Sequence, residues 1–120
     1  MTETIRLTAA QALVRFLNAQ MNEEGVPFIA GCWAIFGHGN VTCLGEALFD
    51  SRDTLPLFRG QHEQGMGFAA AAYAKYWLRK RFMFCTASAG PGTANLVTSA
   101  ALAMANRLPV LMLCGDNFVT

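Results

Sequence analysis

The chemistry this chain can do gathers around one carboxylate. Glu63 lies in Gly60-Gln61-His62-Glu63-Gln64-Gly65-Met66-Gly67-Phe68-Ala69-Ala70, where a polar, glycine-flanked turn runs into alanine-rich sequence. Held in a buried crevice, such a carboxylate is a candidate catalyst. In the first turn of a helix it can also do no more than stabilise the dipole. The residue alone leaves both uses open. His62 beside it reads more often as a surface or hydrogen-bonded histidine than as a catalyst. Two glycine loops accompany the acid, Gly37-His38-Gly39-Asn40 and Ser88-Ala89-Gly90-Pro91-Gly92. Their glycines permit tight turns at positive φ, or close approach of backbone to a planar ligand. Neither loop completes a dinucleotide fingerprint, because Thr42 and Asn95 hold the third-glycine positions. No Gly-Lys-Ser/Thr follows either loop, which excludes a P-loop. Ser88 has neither a G-x-S-x-G context nor a histidine or acid at triad-like spacing, so serine-hydrolase chemistry is not indicated. Met66, Phe68, Tyr73, Tyr76, Trp77, Phe82 and Phe84 read as packing residues.

The elements that must position these groups follow from hydrophobic runs and caps. Residues 5–7 form a short strand or an extended lead-in. Thr8 is a good N-cap for a helix over residues 9–20, with Leu13, Val14 and Leu17 on one face. Asn22-Glu23-Glu24-Gly25 is a turn, and residues 28–36 read as a buried strand. A short helix is expected over residues 44–49 and a second strand over 55–58. A helix from residue 63 to 79 carries Glu63 at its start, and residues 82–86 form a third strand. Residues 93–105 read as a helix with Leu96, Val97, Ala100, Ala101 and Met104 at helical spacing. A last strand over 109–114 ends at Gly115-Asp116-Asn117.

Strands and helices alternate, and the strands are continuous apolar runs. The pattern predicts an α/β fold, a doubly wound parallel sheet with helices on both faces. Right-handed crossovers then place every strand-to-helix loop on one edge. His38, Asn40, Gln61, His62, Glu63, Ser88, Gly90, Gly92 and Asp116 are therefore expected to meet at the edge where open α/β sheets bind ligands. The chain stops one strand after its last helix. The expectation is a domain incomplete at its C-terminus, the N-terminal piece of something larger.

Composition narrows the partners. The chain has 120 residues, enough for one domain with a real core. It is 53% apolar and 14% charged, where about a quarter charged is usual, so much of its surface is expected to be covered. A net charge of +1 gives no nucleic-acid or membrane footprint. Lys75, Arg79, Lys80 and Arg81 cluster at the predicted C-terminal end of a helix, where they complement its dipole. The four cysteines, Cys32, Cys43, Cys85 and Cys114, form no C-x-x-C pair. They read as buried reduced thiols of a cytoplasmic protein rather than a disulfide framework or zinc site. The first residues do not read as a signal peptide, and no apolar run is long enough to span a bilayer.

Three segments together resemble a known family. His62-Glu63-Gln64-Gly65 with the downstream Tyr73-Ala74-Lys75 resembles the glutamate-bearing helix of thiamine-diphosphate enzymes of the acetohydroxyacid synthase type. Thr86-Ala87-Ser88-Ala89-Gly90-Pro91-Gly92-Thr93-Ala94-Asn95 resembles their second loop, and Leu108-Pro109-Val110-Leu111-Met112-Leu113-Cys114-Gly115-Asp116 the strand that follows. In the first loop most members carry Phe-Gly-x-Pro-Gly, whereas Gly39 and Asn40 replace the Pro-Gly here. That variant, with Leu44-Gly45-x-Ala47-Leu48 after it and Ile5-Arg6-Leu7-Thr8, Gln11-Ala12-Leu13-Val14 and Phe16-Leu17 before it, is similar to the branch that hydrolyses cyclic 1,2-diones.

The resemblance implies a flavodoxin-like pyrimidine-binding domain. It implies that Glu63 is both catalytic and cofactor-binding, bonded to N1′ of the aminopyrimidine of thiamine diphosphate so that the 4′-nitrogen can take the thiazolium C2 proton. Gly90, Pro91, Gly92 and Asn95 would flank the pyrimidine. His38, Asn40, His62 and Ser88 would be contacts for a polyhydroxylated dione. The resemblance also implies that Mg²⁺ and the diphosphate are held by a Gly-Asp-Gly…Asn motif on another domain, and Gly115-Asp116-Asn117 is not such a motif. No metal ligand is therefore expected here. The implied assembly is a homo-oligomer, at least a dimer, with a shared active site, in which this chain alone is inactive. Two other readings stand beside it. One is an acetohydroxyacid synthase-like lyase or ligase, against which the Gly39-Asn40 variant argues. The other is a non-catalytic flavodoxin-like binding module, against which Glu63 argues.

Overall fold

Thr8 opens the first helix with a reciprocal cap. Its hydroxyl accepts from the Gln11 amide at 3.2 Å, and the Gln11 side chain accepts from the Thr8 amide at 3.0 Å. The helix, α1 (Ala9–Asn18), buries Val14 and Leu17. Leu13, expected on the same face, is 37% exposed, because it sits at the margin of the apolar stripe over a groove shared with Met112 and Leu113. The structure is a computed structural model that describes residues 4–116, so the expectations for residues 1–3 and for Asn117 lie outside the described residues. Residues 5–7 are an extended lead-in without strand pairing.

Four strands follow: β1 (Ile29–Ala34), β2 (Leu57–Arg59), β3 (Phe82–Ala87) and β4 (Leu111–Cys114). All pair in parallel, in the order β2-β1-β3-β4. The order reverses between β1 and β3, which makes that crevice the switch point of the sheet. The described residues thus form the expected α/β sheet with helices on both faces. On one face α1 and α2 (Glu46–Asp50) cover Cys32, Ala34 and Phe84 with Val14, Leu17 and Leu48. On the other, α3 (Glu63–Tyr76) and the residue that opens α5 (Val97–Ala105) cover Met83, Cys85 and Ala87 with Met66, Ala70 and Leu96. Phe84 is fully buried at the centre, and its truncation to alanine costs about 3–5 kcal/mol on the scale of buried aromatics.

Several boundaries differ from the sequence expectation. The short helix after β1 starts early, as a π-helical turn (Val41–Gly45) that leads into α2. The predicted 93–105 helix is two helices, α4 (Pro91–Ala94) and α5, separated by Asn95 and Leu96. The apolar face expected of α5 also turns outward, with Val97 64% and Met104 84% exposed, while Ser99 and Ala103 are buried. The reason is the crossing with α3. A Cβ on Gly67 would lie 2.0 Å from Ser99 Oγ, so the two helices meet where both side chains are small.

The helix carrying Glu63 ends at Tyr76, and Leu78 and Arg79 turn to positive φ. Among the four clustered basic residues only Lys75 lies in its last turn. Arg79 instead donates to the Arg107 and Asn106 carbonyls at 2.9 and 3.2 Å, satisfying acceptors past the end of α5. Lys80 pairs with Glu24, and Arg81 donates to the Pro27 carbonyl at 2.9 Å. No described helix is long and apolar enough to cross a membrane.

Candidate active site

The turn between β2 and α3 delivers Glu63. His62 is the extended N-cap, with φ −155° and ψ 133°, and makes no side-chain cap. Glu63 is then the first helical residue, where a carboxylate is favoured by the dipole. Its Oε2 accepts a hydrogen bond from Asn95 Nδ2 at 3.0 Å. Asn95 follows α4 directly, and its backbone amide donates to the Pro91 carbonyl at 3.0 Å. Gly92 lies three residues before it on the same turn, so the two share a side.

Gly92 is where the second loop meets the acid. A Cβ there would stand 2.4 Å from Ser88 Oγ and 3.3 Å from Glu63 Oε1. Gly37 of the first loop is equally close to Ser88, with its hypothetical Cβ 2.5 Å from Ser88 Cβ. At Gly37 and Gly92 the missing Cβ makes room for the Ser88 side chain, whereas Gly90 has φ +66° and serves the turn. Thr93 secures the loop, its hydroxyl donating to the Ser88 carbonyl at 2.9 Å.

Beneath these loops lies a buried brace. Asn40 is 6% exposed. Its Oδ1 accepts from the Gly37 amide, and its Nδ2 donates to Thr86 Oγ1 and to the Ala87 carbonyl, each bond 3.1 Å long. The side chain therefore fastens the loop after β1 to the end of β3, across the switch point.

The geometry is that of a ligand edge built from three loops, and comparison with known proteins decides the family. The profile described as "Thiamine pyrophosphate enzyme, N-terminal TPP binding domain" matches residues 7–120. The chain belongs to this family. It is 55% identical over 124 aligned positions to 3D-(3,5/4)-trihydroxycyclohexane-1,2-dione hydrolase of Listeria monocytogenes, an alignment covering 100% of the chain and 19% of that protein. It is 54% identical over 121 positions to 3D-(3,5/4)-trihydroxycyclohexane-1,2-dione hydrolase 2 of Bacillus cereus, covering 98% of the chain and 19% of the relative. A Bacillus thuringiensis hydrolase of the same name is 53% identical, with 98% and 19% covered. The chain spans 19% of the length of these relatives.

In this TPP-binding domain the residues expected at the site separate into groups. Glu63, Ser88, Gly92 and Asn95 come together, with Gly90 and Pro91 on the same loop. Gln61 lines a cleft of about 490 Å³ with Ile35, Phe36, Phe58 and Arg59, beside the Glu63 turn. His38 and His62 are exposed on their loops. Asn40 was expected to face substrate, but its amide is taken up by the brace. Glu63, expected in a buried crevice, is half-buried, so this domain leaves the crevice open on one side. Thr86 and Thr93 were missed by the sequence reading, since lone threonines at a strand end and a helix start carry no distinguishing signal.

The thiols divide too. Cys32 and Cys85 are buried as expected, whereas Cys43 and Cys114 are exposed, and all four are free. Burial, and then neighbouring Cys114, pushes the Cys85 thiol up to about 12. Burial, and then Cys85, pushes the Cys32 thiol up as well. Neither is a nucleophile near neutral pH.

The residues present fit the pyrimidine half of thiamine pyrophosphate. One carboxylate oxygen is anchored by Asn95 and the other faces Gly92, so a half-buried carboxylate with a fixed direction stands at the loop edge, as the aminopyrimidine requires. Among the described residues no group of three or more His, Cys, Asp or Glu is arranged to hold a metal ion.

Proposed function

We propose that the chain is the N-terminal pyrimidine-binding domain of a thiamine-diphosphate-dependent C–C hydrolase. Its substrate is a trihydroxycyclohexane-1,2-dione, opened to 5-deoxy-glucuronate in inositol degradation. The observation that supports the site is Glu63, anchored by Asn95 and facing Gly92 at the edge of the switch point. The substrate class rests on the activity named for relatives that are 53–55% identical along the chain.

Bound thiamine diphosphate supplies a carbon nucleophile and electron sink at its thiazolium C2. The chain's part is orientation and proton control. Glu63 holds the proton shared with N1′ of the aminopyrimidine. Gly90, Pro91 and Gly92 wall the ring. Ser88, His38 and His62 lie on loops at the same edge and offer hydrogen bonds to the dione's hydroxyls and carbonyls. Overall, one ring C–C bond breaks; the hydroxyl of water ends on the new carboxyl carbon and its proton on the other carbon. Mg²⁺ and the diphosphate are held by a domain outside this chain. The enzyme works in the cytoplasm as a homo-oligomer, at least a dimer, whose subunits complete each other's crevices.

The test is ring opening of the dione by the full-length protein with thiamine diphosphate and Mg²⁺. Glu63→Gln, which keeps shape and loses the exchangeable carboxylate, is expected to lower kcat by at least about 100-fold. Equal activity of the two proteins removes Glu63 from this role. Turnover of pyruvate in place of the dione would favour the acetohydroxyacid synthase-like reading.

A further inference from the structure

We propose that Asn95 is a positioning residue whose amide fixes which oxygen of Glu63 is presented to the cofactor. The inference rests on the reading of Glu63 as the cofactor-facing carboxylate, and it changes the task of Asn95 from a contact of the ring to a holder of the acid.

The geometry points there in three ways. Asn95 Nδ2 lies 3.0 Å from Glu63 Oε2, while Oε1 is the oxygen that faces Gly92. A glutamate at a helix N-terminus rotates about three side-chain torsions, and a half-buried site does not select one setting for it. An anchor on one oxygen removes that freedom and directs the other. The anchor is itself fixed, because Asn95 closes the α4 turn through its amide bond to Pro91, and the same turn carries Gly92. One turn thus sets both the wall of the ring site and the direction of the acid.

The residue type fits this task. An amide donates to a carboxylate without adding charge. A carboxylate at this place would repel Glu63 until the pair took up a shared proton. Asn95 is also exposed, so its bond adds little to the stability of the fold and acts mainly on orientation.

The experiment uses the full-length protein with four forms: wild type, E63Q, N95A and N95D. The readouts are kcat for dione hydrolysis across pH, calorimetric affinity for thiamine diphosphate with Mg²⁺, and the thermal midpoint. N95A is expected to lose about tenfold in kcat, with cofactor affinity and thermal midpoint close to wild type. N95D is expected to be impaired at neutral pH and to regain activity as pH falls, because a shared proton restores a donor to Glu63. Neither wild type nor N95A shows that recovery, and a merely structural role does not produce it. Wild-type kcat in N95A, or no acid recovery in N95D, overturns the inference while a dead E63Q leaves the reading of Glu63 standing. Weakened cofactor affinity in N95A with unchanged kcat at saturation also overturns it, in favour of direct contact with the ring. Full activity of E63Q overturns the reading itself, and the inference with it.

Discussion

Asn40 and Asn95 stand at the same edge of the sheet, one beneath the loops and one among them. Asn40 is 6% exposed and makes bonds to Gly37, Thr86 and Ala87. Asn95 is exposed and makes one side-chain bond, to Glu63. The first belongs to a floor of buried groups beneath the loops that also includes Cys85 and Thr86 of β3. The second belongs to a rim of half-exposed groups whose directions matter more than their burial. The same side chain holds the fold together in one place and, on the proposal above, orients a carboxylate in the other, and the difference in burial separates the two tasks. A buried amide that loses its partners leaves donors and acceptors away from water, whereas an exposed one is replaced by solvent.

Substitution at the floor should have the largest effect on stability. Asn40→Ala strands the Gly37 amide and the Thr86 hydroxyl, while the Ala87 carbonyl keeps its bond from the Gly115 amide, and is expected to cost about 2–3 kcal/mol in urea unfolding of the full-length protein. A loss no greater than that of Asn95→Ala would break the comparison. High pH tests the same floor. The Cys85 thiol stays protonated in the folded protein up to about 12, against an ordinary value of 9.0. Its contribution is complete below pH 9.0 and is lost as pH rises toward about 12, because only the unfolded chain ionises there. Stability should therefore fall as pH rises through that window. Cys85→Ala should flatten that slope and Cys43→Ala should leave it unchanged.

The boundary between floor and rim is Gly92. Gly92→Ala brings a methyl group to 2.4 Å from Ser88 Oγ, and is expected to cost about 1–2 kcal/mol and most of the activity. Adding Ser88→Ala removes that oxygen and should recover part of the stability, measured as a double-mutant cycle; strict additivity would place the strain elsewhere. Last comes the rim. Asn95→Ala should change stability by less than about 1 kcal/mol in the same urea experiment, although kcat falls.

Much of the floor's framework was legible beforehand. Uniformly apolar runs marked the strands, their alternation with helices implied a parallel sheet, and Thr8 and Glu63 marked helix starts that the structure keeps. The site was legible as a gathering of loops, and Glu63, Gly92 and Asn95 were singled out. Their division of labour was not. Asn40 read as a free polar group because its partners, Thr86 and Ala87, lie 46 and 47 residues away. The outward turn of α5 was hidden because Gly67 and Ser99 look unremarkable beside Val97 and Met104. The basic cluster was assigned to its own helix, since nothing local reveals that Arg79 reaches the end of α5.

The sequence by itself determined the period and hydrophobic content of each element, and its alternation of apolar strands with helices pointed to parallel pairing and therefore to one edge on which the loops gather. It also placed a carboxylate at the first turn of an apolar helix. These are local properties, set by a few neighbouring residues. Only the tertiary structure decided that Asn95 meets Glu63 across 32 residues, that Gly92 packs against Ser88 beside it, and that Asn40 is sealed beneath. Those outcomes depend on how closely packed surfaces approach one another. A side chain's task at this edge is fixed by what it meets and by whether water can reach it, and neither is written in its own stretch of chain.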